Sequence, residues 1–245
     1  MIYILIFLAG VTAGFMNTLA GGGSTLTIPV LILAGVPANL ANTTNRIAIW
    51  FQTGVASAKF HKKGKLSIKP YIHITISAII GAVIGSFYAI EINSANFEKV
   101  LSVIFVLILI LMFKPKKFQD KVAKKIPKWA ECLIFLLVGL YGGFIQAGVG
   151  FIFLASLNLV EKSNLVEANA TKSFIIFVYT TFAFIIFIIS GKIMWKLGLL
   201  LTCGNVTGAY IGVNTAIKGG EKVIRIVIVI AVVLAILKMF DVIKI

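Results

Sequence analysis

The chain has 245 residues, 60% of them hydrophobic and only 13% charged, and its mean hydropathy is +1.05. A soluble domain carries about 25% charged residues to face water, so a water-soluble enzyme or scaffold is excluded and lipid is the natural solvent for most of the surface. The formal net charge of +15 does not point to nucleic acid, because the cations cluster in short stretches between apolar segments, where Lys and Arg mark the cytoplasmic face.

In chain order, apolar segments are expected at 2–20, 24–36, 40–59, 70–90 and 97–113, then at 130–147, 150–160, 168–190, 195–217 and 223–243. The stretch from Met1 to Val11 has no basic residue ahead of it, so it reads as a first membrane segment rather than a cleaved signal peptide. A straight spanning helix needs about 20 apolar residues, and 24–36 and 150–160 fall short of that. Each is preceded by glycine: Ala20-Gly21-Gly22-Gly23-Ser24 in one case, Gln146-Ala147-Gly148-Val149-Gly150 in the other. Unwound backbone at membrane depth is tolerated only where protein or a watery cavity satisfies it. Each half is therefore expected to open with a broken or re-entrant helix pair.

Basic loops follow the third and fifth segments. Lys59, Lys62, Lys63, Lys65 and Lys69 cluster around His61, and Lys114, Lys116, Lys117, Lys121, Lys124, Lys125 and Lys128 share one hydrophilic stretch with Asp120. Two spanning segments separate the loops, so both can lie inside the cell, where they also meet anionic lipid headgroups.

The halves align with each other. Gly64-Lys65 matches Gly191-Lys192, the Gly81–Gly85 pair matches Gly208–Gly212, and Met112-Phe113 matches Met239-Phe240, all 127 residues apart. Asn42-Thr43-Thr44 matches Asn169-Ala170-Thr171 at the same offset, and Gly14-Phe15 matches Gly143-Phe144 with a slip of two. The expected architecture is an all-α polytopic membrane protein of two homologous repeats, 1–113 and 130–245, joined by a basic cytoplasmic linker at 114–129. A hairpin at the start of each half makes the repeats inverted; a single broken spanning helix makes them parallel. Inversion is favoured, because discontinuous helices at repeat interfaces are typical of such transporters.

Chemistry is constrained first by what is missing. Glu91, Glu98, Asp120, Glu131, Glu161, Glu167, Glu221 and Asp241 all lie at segment ends or in loops, whereas cation carriers keep a carboxylate in the membrane interior. Cys132 and Cys203 are isolated and form no ligand cluster with His61 or His73, so no metal or cofactor is expected. No nucleophile–base pair suggests an enzyme.

The interior cations are Arg46 and Lys172, each in a polar patch near the start of a long apolar segment: Asn42-Thr43-Thr44-Asn45-Arg46 and Asn169-Ala170-Thr171-Lys172-Ser173. Charges flanked by Asn and Thr face a protein cavity more readily than lipid; the alternative is snorkelling to the interface. Gly21, Gly22, Gly23, Ser24 and Thr25 suit an anion site built from backbone N–H groups at the start of a short helix that begins at a Ser/Thr cap, with Pro29 in the first turns where a missing N–H matters least. Gln146, Gly148 and Gly150 form a weaker copy. The candidate binding set is thus Gly21, Gly22, Gly23, Ser24, Thr25, Asn42, Thr44, Asn45, Arg46, Gln146, Gly148, Gly150, Asn169, Thr171 and Lys172. Gly81/Gly85 and Gly208/Gly212 read as close helix packing, and Trp50, Trp129 and Trp195 as an aromatic belt.

The opening GFMNTLAGGGSTLTIPVLILAGVPANLANTTN, echoed by GGFIQAGVGFIFLASLNLVEKSNLVEANATKS, resembles the TauE/SafE family of membrane proteins, the sulfite exporter or four-TMS-repeat permeases. The resemblance spans essentially the whole chain. It implies transport of small sulfur oxyanions or organosulfonates, with sulfite, sulfoacetate and thiosulfate-like anions as candidates. The second half departs from the glycine-rich pattern, with Gln146 and Ala147 where the first has glycines.

Each charge moved is worth about 2.3 kcal/mol per 100 mV, and a negative interior pushes anions outward. The expectation is therefore an exporter of a small anion by alternating access in the cell membrane, with no nucleic-acid partner. The alternatives are an importer or channel for a compound such as thiosulfate, or an assembly factor docking through 114–128.

Overall fold

The computed structural model describes residues 1–113, 126–160 and 164–239, with side chains for 1–104, 126–160 and 164–219. The lysines from Lys114 to Lys125 lie outside the described residues. Among those described, the chain is helical, without strands: α1 (Ile2–Leu19), α2 (Ser24–Leu33), α3 (Ala38–Lys62), a 3₁₀ turn (Lys69–Tyr71), α4 (Ile72–Glu91), α5 (Ser94–Phe113), α6 (Lys128–Phe144), α7 (Val149–Val160), α8 (Leu165–Ile189) and α9 (Trp195–Met239).

Polarity is reversed relative to a soluble protein. Ile72, Ile76, Ile80 and Ile84 recur every fourth residue along the exposed face of α4, and Leu133 and Leu137 of α6 and Phe182, Ile185 and Ile189 of α8 are likewise exposed. Asn42, Asn45, Arg46, Gln52, Asn169 and Lys172 are meanwhile buried. An apolar stripe facing outward around a polar interior is stable only when the solvent is lipid. Among the described residues, three stretches are long and apolar enough to cross a membrane, Ile2–Leu19, Lys69–Glu91 and Leu165–Ile189. With 25 residues α3 has the length to span, but its polar patch lowers its mean hydropathy, and 15 of its residues are buried inside the bundle.

Both glycine breaks are hairpins. After α1, Gly21 and Gly22 adopt φ of +95° and +84°, left-handed backbone that side chains with a Cβ resist. The chain then doubles back, so that Gly23 lies against Ala13 and Asn17 of α1. After α6, Gly148 has φ +70°, and α7 runs back along α6 with the rings of Phe135 and Phe153 5.6 Å apart.

Two details differ from expectation. Ser24 does not cap α2: Gly23 holds the cap position, and Ser24 is the first helical residue. Pro29 is the sixth residue of α2, beyond the four N–H groups that lack intrahelical partners in any case, so the helix forgoes one internal bond. The expected boundary between segments 195–217 and 223–243 is also absent. The backbone continues as the 45-residue α9 through Gly219-Gly220, because glycine costs a helix about 1 kcal/mol per residue and does not break it as proline does. Residues 240–243 of the second segment lie outside the described residues.

The small-residue pairs pack as expected. Gly81 and Gly85 of α4 sit against the backbone of α6 at Leu136 and Leu140, and Gly139 and Gly143 of α6 sit against Ala78 and Ala82. On the opposite side, Gly10 and Gly14 of α1 meet Leu201 and Asn205 of α9, while Gly204 and Gly208 meet Phe7 and Val11. A Cβ at Gly81 would lie 2.6 Å from the Leu140 nitrogen, so Gly81→Leu forces two backbones apart. Overpacking of this kind costs about 1–3 kcal/mol or more. A lower unfolding temperature in detergent is the expected readout, with Ile80→Leu on the lipid-facing side of the same helix unchanged.

Candidate functional site

The two hairpin turns meet at the centre of the bundle. A Cβ on Gly21 would lie 2.5 Å from the Gly150 carbonyl carbon, and one on Gly150 would lie 2.6 Å from Gly21 Cα. Only paired glycines allow this approach of backbone to backbone. It brings the N-termini of α2 and α7, two short helices of 10 and 12 residues, to one place. Among the described residues, the Ser24 and Gly150 N–H groups have no backbone partner.

The buried cations cap the ends of the other half's first helix. Arg46 on α3 donates to the carbonyls of Gly142 and Gly143 (2.7 Å to the latter) and to Gln146 Oε1, all at the C-terminus of α6. Its guanidinium also stands 5.3 Å from the centre of the Phe187 ring. One turn earlier, Asn42 Nδ2 donates to the Phe144 carbonyl at 2.9 Å. Lys172 on α8 donates to the Asn17 carbonyl at 2.8 Å and to Asn169 Oδ1, while Asn169 Nδ2 donates to the Leu19 carbonyl at 2.9 Å. The last carbonyls of a helix lack internal partners and carry the negative end of its dipole, so a cation and an amide are the groups that satisfy them. The polar patches on α3 and α8 thus close the two helix ends exposed by the glycine breaks.

Between the hairpins lies a small polar cavity of about 10 Å³, room for roughly one water molecule. Its polar lining is Asn17, Ser24, Gln52, Thr53, Gln146, Lys172 and Ser173, and its remaining walls are Ile49, Val149, Gly150 and Ile176. No carboxylate lines it. Among the described residues the ion pair recorded is His73–Glu131, 2.7 Å apart and linking the starts of α4 and α6.

Of the candidate residues, Ser24, Gln146, Gly150 and Lys172 line this cavity. Gly21, Gly22, Gly23 and Gly148 shape the turns around it. Thr25 Oγ1 donates to the Gly22 carbonyl at 2.6 Å, bracing the first turn. Asn45 stands one layer behind, accepting from Thr27 at 2.8 Å and donating to Ser24 Oγ at 3.1 Å. Asn42, Arg46 and Asn169 are spent on the caps. Thr44 Oγ1 accepts from Met194 N–H at 3.0 Å and holds the turn between α8 and α9, and Thr171 is buried in α8 away from the lining.

Asn17, Gln52, Thr53 and Ser173 were not anticipated. Gln52 had a readable signal: an amide directly after the apolar run Ile47–Phe51, seven residues after Asn45 and so on the same helical face. Asn17 carries another, since the slip that relates Phe15 to Phe144 relates Asn17 to Gln146. Trp50 was assigned to the interface, but it lies mid-helix in α3, stacked on Phe177 at 5.7 Å and donating to Thr181 Oγ1 at 2.9 Å. Trp129 and Trp195 are exposed at the starts of α6 and α9, where a belt residue belongs.

A family profile described as sulfite exporter TauE/SafE matches residues 6–239. The chain is 28% identical over 241 residues to a probable membrane transporter protein, ORF9, of a Sinorhizobium species, covering 96% of this chain and 92% of the relative. It is 29% identical over 231 residues to a probable membrane transporter protein of Haemophilus influenzae, covering 92% and 89%. To the probable membrane transporter protein YfcA of Escherichia coli it is 26% identical over 229 residues, covering 92% and 85%. No solved structure matches it. The relatives are transporters rather than enzymes, and the reversed polarity of the bundle places this chain in a membrane as a multi-pass protein. On the profile that spans its length, the chain belongs to the sulfite exporter TauE/SafE family.

Proposed function

We propose that this transporter exports a small sulfur-containing anion, of the sulfite or organosulfonate class, by alternating access around the cavity between the two hairpins. One observation carries the reading: two short-helix N-termini and the Lys172 ammonium converge on a buried polar cavity with no carboxylate in its lining. Helix N-termini attract anions through free N–H groups and the helix dipole, and a buried cation without an acidic partner is stabilised by an arriving anion. A cation would find no carboxylate there and would face the Lys172 ammonium. The cavity admits about one water, so substrate enters only when the hairpins part, which is the behaviour of a carrier and not of an open channel. The direction follows from the membrane potential, since outward movement of each negative charge gains about 2.3 kcal/mol per 100 mV.

The account includes an inverted duplication. The hairpins support inversion, because the first half, with α3, α4 and α5 after its hairpin, then crosses the membrane an odd number of times and the second half starts from the other side. The helices α3 and α8 each have 25 residues, with both bounds offset by 127. The same offset pairs Gln52 with Tyr179, and each is hydrogen-bonded to the amide that precedes the glycine turn in its own half, Asn17 at 3.0 Å and Gln146 at 3.3 Å. Rocking of one half against the other would then expose the cavity to each side in turn.

Thermal unfolding of detergent-purified protein with sulfite, thiosulfate, sulfate, taurine, sulfoacetate and chloride tests the substrate class. A ligand that binds the folded state stabilises it by about 2.7 kcal/mol at a hundred times Kd. A shift with a sulfur oxyanion is expected and a smaller one with taurine, whose ammonium meets no carboxylate and stands near the Lys172 ammonium. Absence of any shift across the panel refutes the anion reading.

A further inference from the structure

The orientation of the amides around the cavity carries more information than the charge of Lys172. Gly23 N–H can only donate, and it donates to Asn17 Oδ1 at 2.6 Å. That commits Asn17 Nδ2 to face outward, where it donates to Gln52 Oε1 at 3.0 Å. Gln52 therefore has its oxygen occupied and its Nε2 group left over, and at the cavity wall that nitrogen makes no hydrogen bond to the described residues. The second amide is fixed independently. Arg46 is a donor with no acceptor, and it takes Gln146 Oε1, to which Tyr179 Oη also donates at 3.3 Å. The Gln146 Nε2 group again makes no hydrogen bond to the described residues. Both glutamines are at least nine-tenths buried, at 1% and 3% exposure, and both line the cavity.

Accepting the anion site argued above, we propose that Gln52 and Gln146 are a selectivity pair that donates both free amide groups to the substrate and so favours oxyanions that carry no proton of their own. With Lys172 Nζ and the N–H groups of Ser24 and Gly150, the donors around the cavity outnumber the acceptors. The acceptors left are hydroxyl oxygens: Ser24 Oγ, which already accepts from Asn45 at 3.1 Å, and those of Thr53 and Ser173, whose own protons go to the Ile49 carbonyl at 2.7 Å and the Asn169 carbonyl at 2.8 Å. A sulfonate or a fully ionised sulfur oxyanion offers acceptors only and satisfies every donor. A protonated phosphonate or phosphate of the same size and charge brings an O–H that only these few hydroxyls can accept and that every other position sets against a fixed donor. Leaving a buried polar group mispaired is the strongest available basis for rejecting a near-isostere. Arg46 and Tyr179 are positioning residues in this scheme: they act on the substrate through the Gln146 oxygen.

The test compares binding of methanesulfonate and methylphosphonate to the purified full-length protein, at a pH where the phosphonate carries one charge and one O–H. The wild type is expected to bind methanesulfonate at least ~10-fold more tightly, the lower range for one mispaired buried group. In Gln52→Glu a carboxylate oxygen replaces the donor and can accept the O–H. Both anions should then bind more weakly, but the preference for methanesulfonate should fall by ~10-fold or more. Gln146→Glu gives the same readout on the other wall and keeps the partner of Arg46, so it serves if Gln52→Glu does not fold. Equal affinities in the wild type, or a ratio unmoved by either variant, overturn the selectivity pair while the anion site stands. Binding of neither anion removes the anion site itself, and the selectivity pair with it.

Discussion

Arg46→Ala should yield protein that reaches the membrane but unfolds far more readily than wild type. The guanidinium is completely buried and bonds to two carbonyls at the end of α6 and to Gln146. Removing it strands those neutral acceptors where no water reaches them, at about 1–3 kcal/mol for each buried group left unsatisfied, and leaves a cavity where the side chain packed. Total stabilities are only about 5–15 kcal/mol, so much of the folded population should be lost on mild heating. Arg46→Lys keeps the charge but not the fork that bonds both carbonyls and Gln146 together; partial recovery is expected. The unfolding temperature in detergent, with the fraction running as a single species on gel filtration, is the measurement. A variant as stable as wild type would mean that the α6 cap is dispensable.

Lys172→Met should behave in the opposite way. Methionine retains the length of the side chain without its charge. The variant loses two hydrogen bonds, to Asn17 and Asn169, but also relieves the burial of an ammonium without an acidic partner, and these effects oppose each other. Stability should therefore change by less than about 2 kcal/mol. Anion affinity should fall by ~100-fold or more, because a unit charge about 4 Å from the substrate contributes about 4 kcal/mol at an effective dielectric near 20. Titration of methanesulfonate onto wild type and variant checks this. An unchanged Kd would remove Lys172 from the site. The two buried cations are thus separable: one fails by unfolding, the other by losing its ligand.

The contrast shows how far the sequence reaches. Segment positions were readable because lipid selects for apolar runs, and α3, α4 and α8 lie within a few residues of where hydropathy puts them. The glycine breaks were readable because three consecutive glycines have no other stable use at membrane depth. Whether each break was a bend or a reversal was not, since that depends on α7 packing back along α6 through Phe135 and Phe153. The end of α9 was misread because a glycine pair weakens a helix without terminating it. For the cations, residue type and patch were readable and the partners were not. Arg46 reaches carbonyls 96 residues away and Lys172 reaches one 155 residues away, so no local pattern tells a helix cap from a substrate ligand. Gln52 escaped notice because neutral amides draw less attention than charges, although a glutamine in an apolar membrane helix must find partners somewhere.

Efflux of sulfite from proteoliposomes, with an imposed potential and the Lys172→Met variant run in parallel, tests the transport account most directly. The account predicts loss of internal sulfite that speeds up as the interior is made more negative and that falls to the level of empty liposomes in Lys172→Met. Sulfite retained at the rate of empty liposomes by the wild type, or released at the wild-type rate by the variant, would contradict it.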